Sequence, residues 1–561
     1  MALFQNNKLE EKLAAERKQA EERDAERRAA KLDFPYLNLI SVKVPTELKA
    51  MALVPEADAR AAQLCPLQLI GKKLVVAAFD PTLPVAAKII ENLKIKYEVK
   101  IFVTSANGLV HGWSYYQHVP KEQTEISGSI EIDRAEMETI RRQIGTIKDL
   151  AAAVGQATSA ATSALAEIIL GGALALKASD IHLEPASKEN GVIRLRLDGL
   201  LYAAFENLNL KTYGRLISRI KLLANLKLNI QDEAQDGRFT IKNEDRDIEI
   251  RVSIIPSEFG ETAVLRILDP IALKTDLSEL GWRADDLAIV QAELKKPNGL
   301  ILNTGPTGSG KTTTLYAFLK AVAKPEIKII TIEDPIEYRL PGISQTQVDP
   351  AAGYTFASGL RSILRQDPDV VLVGEIRDQE TAEIALNASL TGHLVFSTLH
   401  TNNAAGAIPR LIDLKVLNQT VAAGLNLIIA QRLVRRLCAE CKKPITPDKD
   451  LTEKIRDFLK QLPARVDQKP FGEFKIFEPA GCSACNHLGY RGRLSIFELL
   501  IVNDKIEEAI AANPSELALQ KMALEQNMTS MQTDGLLKVL AGITGFEEIE
   551  RVTGPIAWPE K

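Results

Sequence analysis

The sequence predicts a multidomain α/β protein, and three textures along its 561 residues lead there. After Gly299 four continuous apolar runs, GLILN, KIITI, DVVLV and HLVFS, alternate with helical segments. Strands that read this way are buried on both faces, which means a parallel sheet flanked by helices. Before it, VIRLRLDG at 192–199, DIEIRVSII and TAVLRIL alternate with period two around a helical stretch, YGRLISRIKLLANL. That alternation means an antiparallel sheet with one wet face. Earlier still, from Pro35 to Val119, short apolar runs (LQLI, KLVVAAF, VKIFV) surround a DPTLP turn and an amphipathic VAAKIIENL. That is the pattern of a small α/β domain.

In chain order, residues 1–34 form a charged tail. Between positions 8 and 33 eight Lys/Arg alternate with eight Asp/Glu, with Ala between them, so a solvated helix is expected. No heptad of large apolar residues marks it as a coiled coil. The small α/β domain occupies 35–119, and 120–160 reads as a linker into a helix near Ser163–Leu176. The antiparallel domain spans 161–275 and the parallel-sheet domain 276–561. The latter includes a cysteine-bearing insertion at about 432–495 and C-terminal helices over 496–561.

Composition narrows the function classes. Apolar residues make up 46% and charged residues 25%, and 69 basic against 73 acidic side chains leave a net charge of −4. Disorder along the whole chain is excluded, and nothing basic or aromatic-striped advertises direct nucleic-acid contact. The longest uncharged stretch, Ile384–Pro409, carries His393, His400 and three asparagines, so no membrane span is expected. The N-terminus lacks the apolar core of a signal peptide, and a cytoplasmic location is expected. Five cysteines make no disulfide scaffold.

The sharpest motif is Gly305-Pro306-Thr307-Gly308-Ser309-Gly310-Lys311-Thr312-Thr313, between the run GLILNT and a helix. Strand, glycine-rich loop, Lys-Thr and helix are the context a P-loop requires. Its backbone N–H groups and helix N-terminus cradle phosphate. Lys311 is expected to reach the β- and γ-phosphates, and Thr312 to offer Mg²⁺ a hydroxyl. Downstream, PDVVLVGE is a buried strand ending in Glu375, placed to hold Mg²⁺ or orient water; Gly374 stands where an Asp is usual. TIEDPIE gives Glu333 a comparable strand end, where parallel sheets bind ligands. His393 and His400 bracket one strand seven residues apart, which puts them on opposite faces and disfavours a shared metal. For each, structure and chemistry are equally open. Cys438-x-x-Cys441 and Cys482-x-x-Cys485 offer four thiolates, suited to a structural zinc, with an unligated dithiol as the alternative. Cys65, in an apolar run, reads as core. Arg194, Arg196, Arg238, Arg251 and Arg266 precede the P-loop, and Arg361 and Arg365 follow it. Any of them could neutralise a phosphoryl group or simply form surface ion pairs.

Taken together these motifs resemble the secretion and pilus-assembly ATPases of the GspE/PilB type. The residues that carry the likeness are ASDIHLEP at 178–185, RLRLDG at 194–199, QDGRF at 235–239, TIEDPIEY, LRQDPDVVLVGEIRD, TGHLVFSTLHTN, QRLVRRLC and GYRGR, in addition to the P-loop. The resemblance covers about residue 35 to the end. It implies a small N1 domain, a PAS-like N2 domain and a RecA-like C-terminal domain with a zinc-binding insertion. It also implies a homo-hexamer that hydrolyses ATP with Mg²⁺. Such a motor sits at the cytoplasmic side of the inner membrane, associated peripherally through a platform protein and other assembly proteins. By position Glu333, Glu375, His393 and His400 match the family's acidic and histidine boxes, and Arg251 and Arg266 lie where N2 supplies arginines to the site. Some relatives bind cyclic di-GMP through an N-terminal motif rich in Arg, Leu and Gly; residues 1–120 lack that motif, and no such ligand is expected. The first domain and the Cys pairs are absent from retraction motors, which favours assembly of type IV pili. Type II secretion is the close alternative, and a non-hydrolysing nucleotide-gated scaffold or a DNA-uptake motor stands further off.

Overall fold

The computed structural model describes residues 2–40, 47–119, 129–132, 134–243, 246–271 and 275–559. They divide into two compact units, one running to Ile267 and the other from Leu268 onward, with two short stretches before residue 201 belonging to the second.

The first unit opens with the helix Ala2–Leu32. Its charge pattern predicts a solvated rod, yet its C-terminal half is docked. Ala25 and Ala29 are buried. The Arg28 guanidinium donates to the carbonyl oxygens of Phe79 at 2.9 Å and Thr104 at 3.0 Å, and lies over the Phe79 ring. Glu22 accepts from Ser105 Oγ at 2.5 Å and from the Tyr36 hydroxyl. A helix can dock through an alanine stripe and satisfied charges without any apolar periodicity, because charge-assisted bonds to fixed carbonyls replace hydrophobic burial.

The sheet beneath it has strands β1 (Leu64–Ile70), β2 (Lys73–Ala78) and β3 (Glu98–Val103). β1 and β2 are antiparallel, β2 and β3 parallel, and the helix Pro84–Lys94 makes the crossover. Leu67, Leu74, Val76 and Ile90 fill the core with Cys65, whose thiol burial pushes up to about 12. The stretch expected as a linker carries β4 (Ser129–Glu131) and the helices Arg134–Gln143 and Ile147–Ala157; residues 120–128 lie outside the described residues.

The second sheet contains seven strands: β4, β5 (Asp180–Pro185), β6 (Asn190–Leu197), β7 (Leu200–Asn209), β8 (Gln235–Asn243), β9 (Arg246–Ser257) and β10 (Gly260–Leu268). Their order is β4-β8-β9-β10-β5-β6-β7. Period-two burial is plain in β6, where Ile193, Leu195 and Leu197 face the core while Arg194 and Arg196 do not. The helix Leu210–Leu223 buries Lys221, which donates to the carbonyl of Ile230 at 2.7 Å and pairs with Glu261.

The second unit is built on β11 (Gly299–Thr304), β12 (Ile329–Glu333), β13 (Ser344–Gln347), β14 (Val370–Val373), β15 (Leu394–Leu399), β16 (Leu425–Leu437) and, beyond the short pair β17 (Lys443–Ile445) and β18 (Ile476–Glu478), β19 (Tyr490–Ile501). The order is β13-β12-β14-β15-β11-β16-β19, parallel except for β19. The four apolar runs of the sequence are β11, β12, β14 and β15, each buried at every position. β16 and β19 are long enough to run past the sheet and to present Cys438 and the second cysteine pair, so the expected insertion shares both its ends with these strands.

Candidate active site

β11 ends at Thr304, and the P-loop turns from there into the helix Lys311–Val322. Gly305 and Gly310 have φ of 150° and 92°, where L-residues are strained. A Cβ on Gly305 would also sit 2.5 Å from the Gln431 carbonyl oxygen, and one on Gly310 2.8 Å from the Gln431 side-chain nitrogen. The glycines are therefore dictated by β16 running beneath the loop. Gln431 is itself buried and joins the two strands: its side-chain oxygen accepts from Asn303 at 2.8 Å and from Thr314 at 2.9 Å, and its nitrogen donates to Ser495.

Lys311 Nζ donates to the carbonyl oxygens of Gly305 at 2.7 Å and Pro306 at 3.1 Å. Burial pushes this ammonium down to about 8; Glu375 opposes the shift and Arg432 adds to it. The charge that phosphate needs is thus held at the loop in a partly desolvated place, where it acts more strongly than in water. Thr312 is exposed at the start of the helix and Thr313 half-buried.

Glu375 follows β14. One of its oxygens pairs with the Arg377 guanidinium and the other lies 3.6 Å from His400 Nε2. Arg377 also reaches Asp334 at 3.7 Å. A Cβ on Gly374 would lie 3.3 Å from the Glu333 Cα, so the position that usually carries an Asp is pressed against β12. Glu333 closes β12 almost fully buried, accepting from Tyr316, from Thr331 Oγ1 at 2.5 Å and from Gln345 at 3.1 Å. Burial, with the neighbouring Glu333 carboxylate, pushes the Tyr316 phenol up, so it stays a donor.

The two histidines diverge. His393 Nδ1 bonds the Ala388 carbonyl at 3.0 Å, before β15 begins. His400 stands after β15 beside Glu375; burial and the Lys311 charge hold its imidazole below the usual range. Arg251 pairs with Glu249 at 3.1 Å and Arg266 with Asp180 at 3.2 Å, both within the first unit. Arg194 pairs with Glu184, Arg196 with Asp180, and Arg361 with Glu380. Sequence reasoning missed Arg377, Arg432 and Gln431. Arg377 had a local signal, two residues after the strand-end acid. Gln431 and Arg432 open the QRLVRRLC run, but nothing in that run ties it to the P-loop, because β16 meets β11 only through pairing across more than a hundred residues.

The hydroxyl of Thr312 and the carboxylate of Glu375 are hard oxygen donors, the set Mg²⁺ takes beside phosphate; when bound, that ion neutralises charge on the transferring group. The four cysteines answer a different chemistry. Cys438 and Cys482 sulfurs are 3.9 Å apart, Cys441 and Cys485 3.7 Å, and Cys482 and Cys485 3.8 Å. All four lie within 4.8 Å of one another. Sulfurs ~2.3 Å from a tetrahedral zinc have edges of about 3.8 Å, so the donor set fits that ion. Backbone N–H groups of Gly481 and Gly489 point at Cys441 and Cys485 sulfurs at 3.2 and 3.3 Å.

Comparison with known proteins gives the family of the chain. The model of the type II/IV secretion system protein family matches residues 156–551, and that of the MshEN domain matches 32–123. The chain belongs to the type II/IV secretion system protein family. It is an ATPase of that family. The type IV pilus assembly ATPase PilB of Myxococcus xanthus is 38% identical over 525 residues, covering 93% of this chain and 89% of that one. Type II secretion system ATPase E of Vibrio cholerae is 43% identical over 438 residues, 78% of this chain and 84% of that one. In fold, the ATPase DotB of Yersinia pseudotuberculosis superposes with a TM-score of 0.51 at 20% identity, covering 70% of this chain and 94% of that one. No helix among the described residues is long and apolar enough to cross a membrane.

Proposed function

We propose that this family member is the hexameric motor that powers assembly of type IV pilus filaments from inner-membrane pilins. The observation that carries the reading is the extent of the likeness to the Myxococcus pilus assembly ATPase, which covers 93% of this chain and so includes the first α/β domain. A second reading, pseudopilus assembly in type II secretion, is favoured by higher identity over a shorter span, 46% across 377 residues with the protein from Dickeya dadantii. In both, the motor works at the cytoplasmic face of the inner membrane through a platform protein, with no direct contact to nucleic acid.

At the site, Lys311 and the loop N–H groups bind the phosphates, and Thr312 and Glu375 hold Mg²⁺. Glu375 also orients the attacking water, and its partners Arg377 and His400 fix its angle. Glu333, held by three donors, keeps the strand end rigid. Arg251 and Arg266 add positive charge on the transferring phosphoryl group from N2, and His393 orders the start of β15. Zinc on Cys438, Cys441, Cys482 and Cys485 folds the insertion and does no hydrolysis, since four thiolates leave no open position.

The test is Lys311→Ala in the native host, with surface filaments counted by electron microscopy. Loss of filaments is expected. Unchanged filaments with cargo accumulating inside the envelope would replace the pilus reading with type II secretion.

A further inference from the structure

Residues 400–406, between β15 and the helix Ala407–Asp413, form a short loop that starts beside Glu375 and is tied on every side. The Thr401 N–H donates to Thr304 Oγ1 at 2.8 Å, and the two hydroxyls meet at 2.7 Å, one residue before the P-loop. Asn402 accepts from Arg432 at 3.1 Å. Asn403 donates to Glu516 at 2.8 Å, on the first residue of the helix Glu516–Glu525. The Ala404 N–H donates at 2.9 Å to Glu498.

Glu498 is the unusual member. It lies on β19, 4% exposed, and among the described residues no lysine or arginine pairs with it. One oxygen takes the Ala404 N–H; the other takes the N–H of Met531 at 3.3 Å, the first residue of the helix Met531–Leu540. Burial raises its carboxyl above the usual range, and the distant charge of Glu516 adds to that, against the pull of the two N–H bonds. A buried carboxylate without a counter-ion is costly. What it provides that glutamine or leucine cannot is acceptance on both oxygens, from two different elements at once.

We infer that Glu498 is a positioning residue for ATP hydrolysis: it fixes the 400–406 loop against the P-loop strand and, through its second oxygen, couples that register to the helix Met531–Leu540. The loop's first residue faces the water-orienting acid and its next grips the strand that enters the P-loop. A change at the phosphate end therefore reaches the helix Met531–Leu540 by way of Glu498, and a change in that helix reaches the site by the same route.

Glu498→Gln, nearly the same shape, presents an amide NH₂ to one of the two N–H donors and so loses one bond. In the full-length protein kcat for Mg-ATP is expected to fall about tenfold, with KM for ATP and affinity for ADP within about twofold. Thr401→Val, cutting the loop's other tie, should lower kcat too. The double variant should be no slower than the worse single, because both act through one loop. A merely structural role would lower the melting temperature and leave the kcat of folded protein unchanged, or make the two substitutions additive; either result overturns the inference. So would a rise in KM that accounts for the whole loss. Should Glu498→Gln fail to fold, Glu516→Ala cuts the loop's exposed tie to the neighbouring helix Glu516–Glu525. It is expected to lower kcat about threefold at constant KM, and an unchanged kcat would overturn the inference equally.

Discussion

Lys311 shows how a single residue carries the energetics of the site. Burial holds its ammonium at about 8, with Arg432 lowering it further and Glu375 supporting it. Bound phosphates hold the lysine charged, so above that pH binding must take up a proton from solution. Mg-ATP affinity is therefore expected to be flat up to pH 8 and to weaken about tenfold per unit beyond it. Glu375→Gln removes the supporting charge, and the break should move to lower pH. Titration of a fluorescent ATP analogue between pH 6.5 and 9.5 reads both; a flat affinity across that range would refute the assignment. The residues of this effect were unequally legible. The P-loop lysine is written in nine consecutive letters, and Glu375 in an apolar run that ends in an acid. Arg432, which shares the lysine's field, is one letter on a strand whose pairing with β11 no local pattern announces. Sequence favours what is contiguous, and electrostatics does not respect contiguity.

At the level of elements, the four central strands were readable because burial on both faces leaves only apolar letters. The N-terminal helix was readable as a helix but not as a docked one, since Arg28 and Glu22 are satisfied by groups some fifty to eighty positions away. The cysteine insertion is the intermediate case. Two pairs spaced by two residues signal a metal, while their meeting depends on β16 and β19 pairing antiparallel out to Leu437 and Tyr490. Metal there should be structural. Cys482→Ser is expected to reduce bound zinc from one per chain to none and to open the segment between β17 and β18 to protease. ATP affinity should stay within about twofold, because the cluster is a folding device and not a ligand of the phosphates. Wild-type protein that holds no zinc and whose four thiols all titrate freely would end the assignment.

For the whole molecule, the active site as the P-loop unit presents it is short of positive charge on the transferring group. Lys311 is the one proposed phosphate ligand of that unit with a charge to give, while Arg377 is paired with Glu375 and Asp334 and Arg432 with Asn402. Phosphoryl transfer of this kind commonly takes an arginine from elsewhere, worth about a thousandfold or more in rate. The proposed donors, Arg251 and Arg266, belong to the other unit, where carboxylates of Glu249 and Asp180 orient them. If they act on the nucleotide of a neighbouring subunit in the proposed hexamer, two inactive chains should repair each other. Arg266→Ala keeps an intact P-loop and lacks the arginine; Lys311→Ala lacks nucleotide and keeps the arginine. Co-expressed in equal amounts and randomly assembled, they place an intact P-loop beside an intact arginine at about a quarter of interfaces. Recovery of about a quarter of wild-type turnover, from two variants each near zero, is the expected outcome. No recovery from co-assembled hexamers would confine the arginine to its own chain, and turnover independent of protein concentration in a chain that stays monomeric would remove the hexamer from the mechanism altogether. Recovery would mean that the second domain serves catalysis through assembly, its arginines completing a site arranged by a symmetry that no single sequence contains.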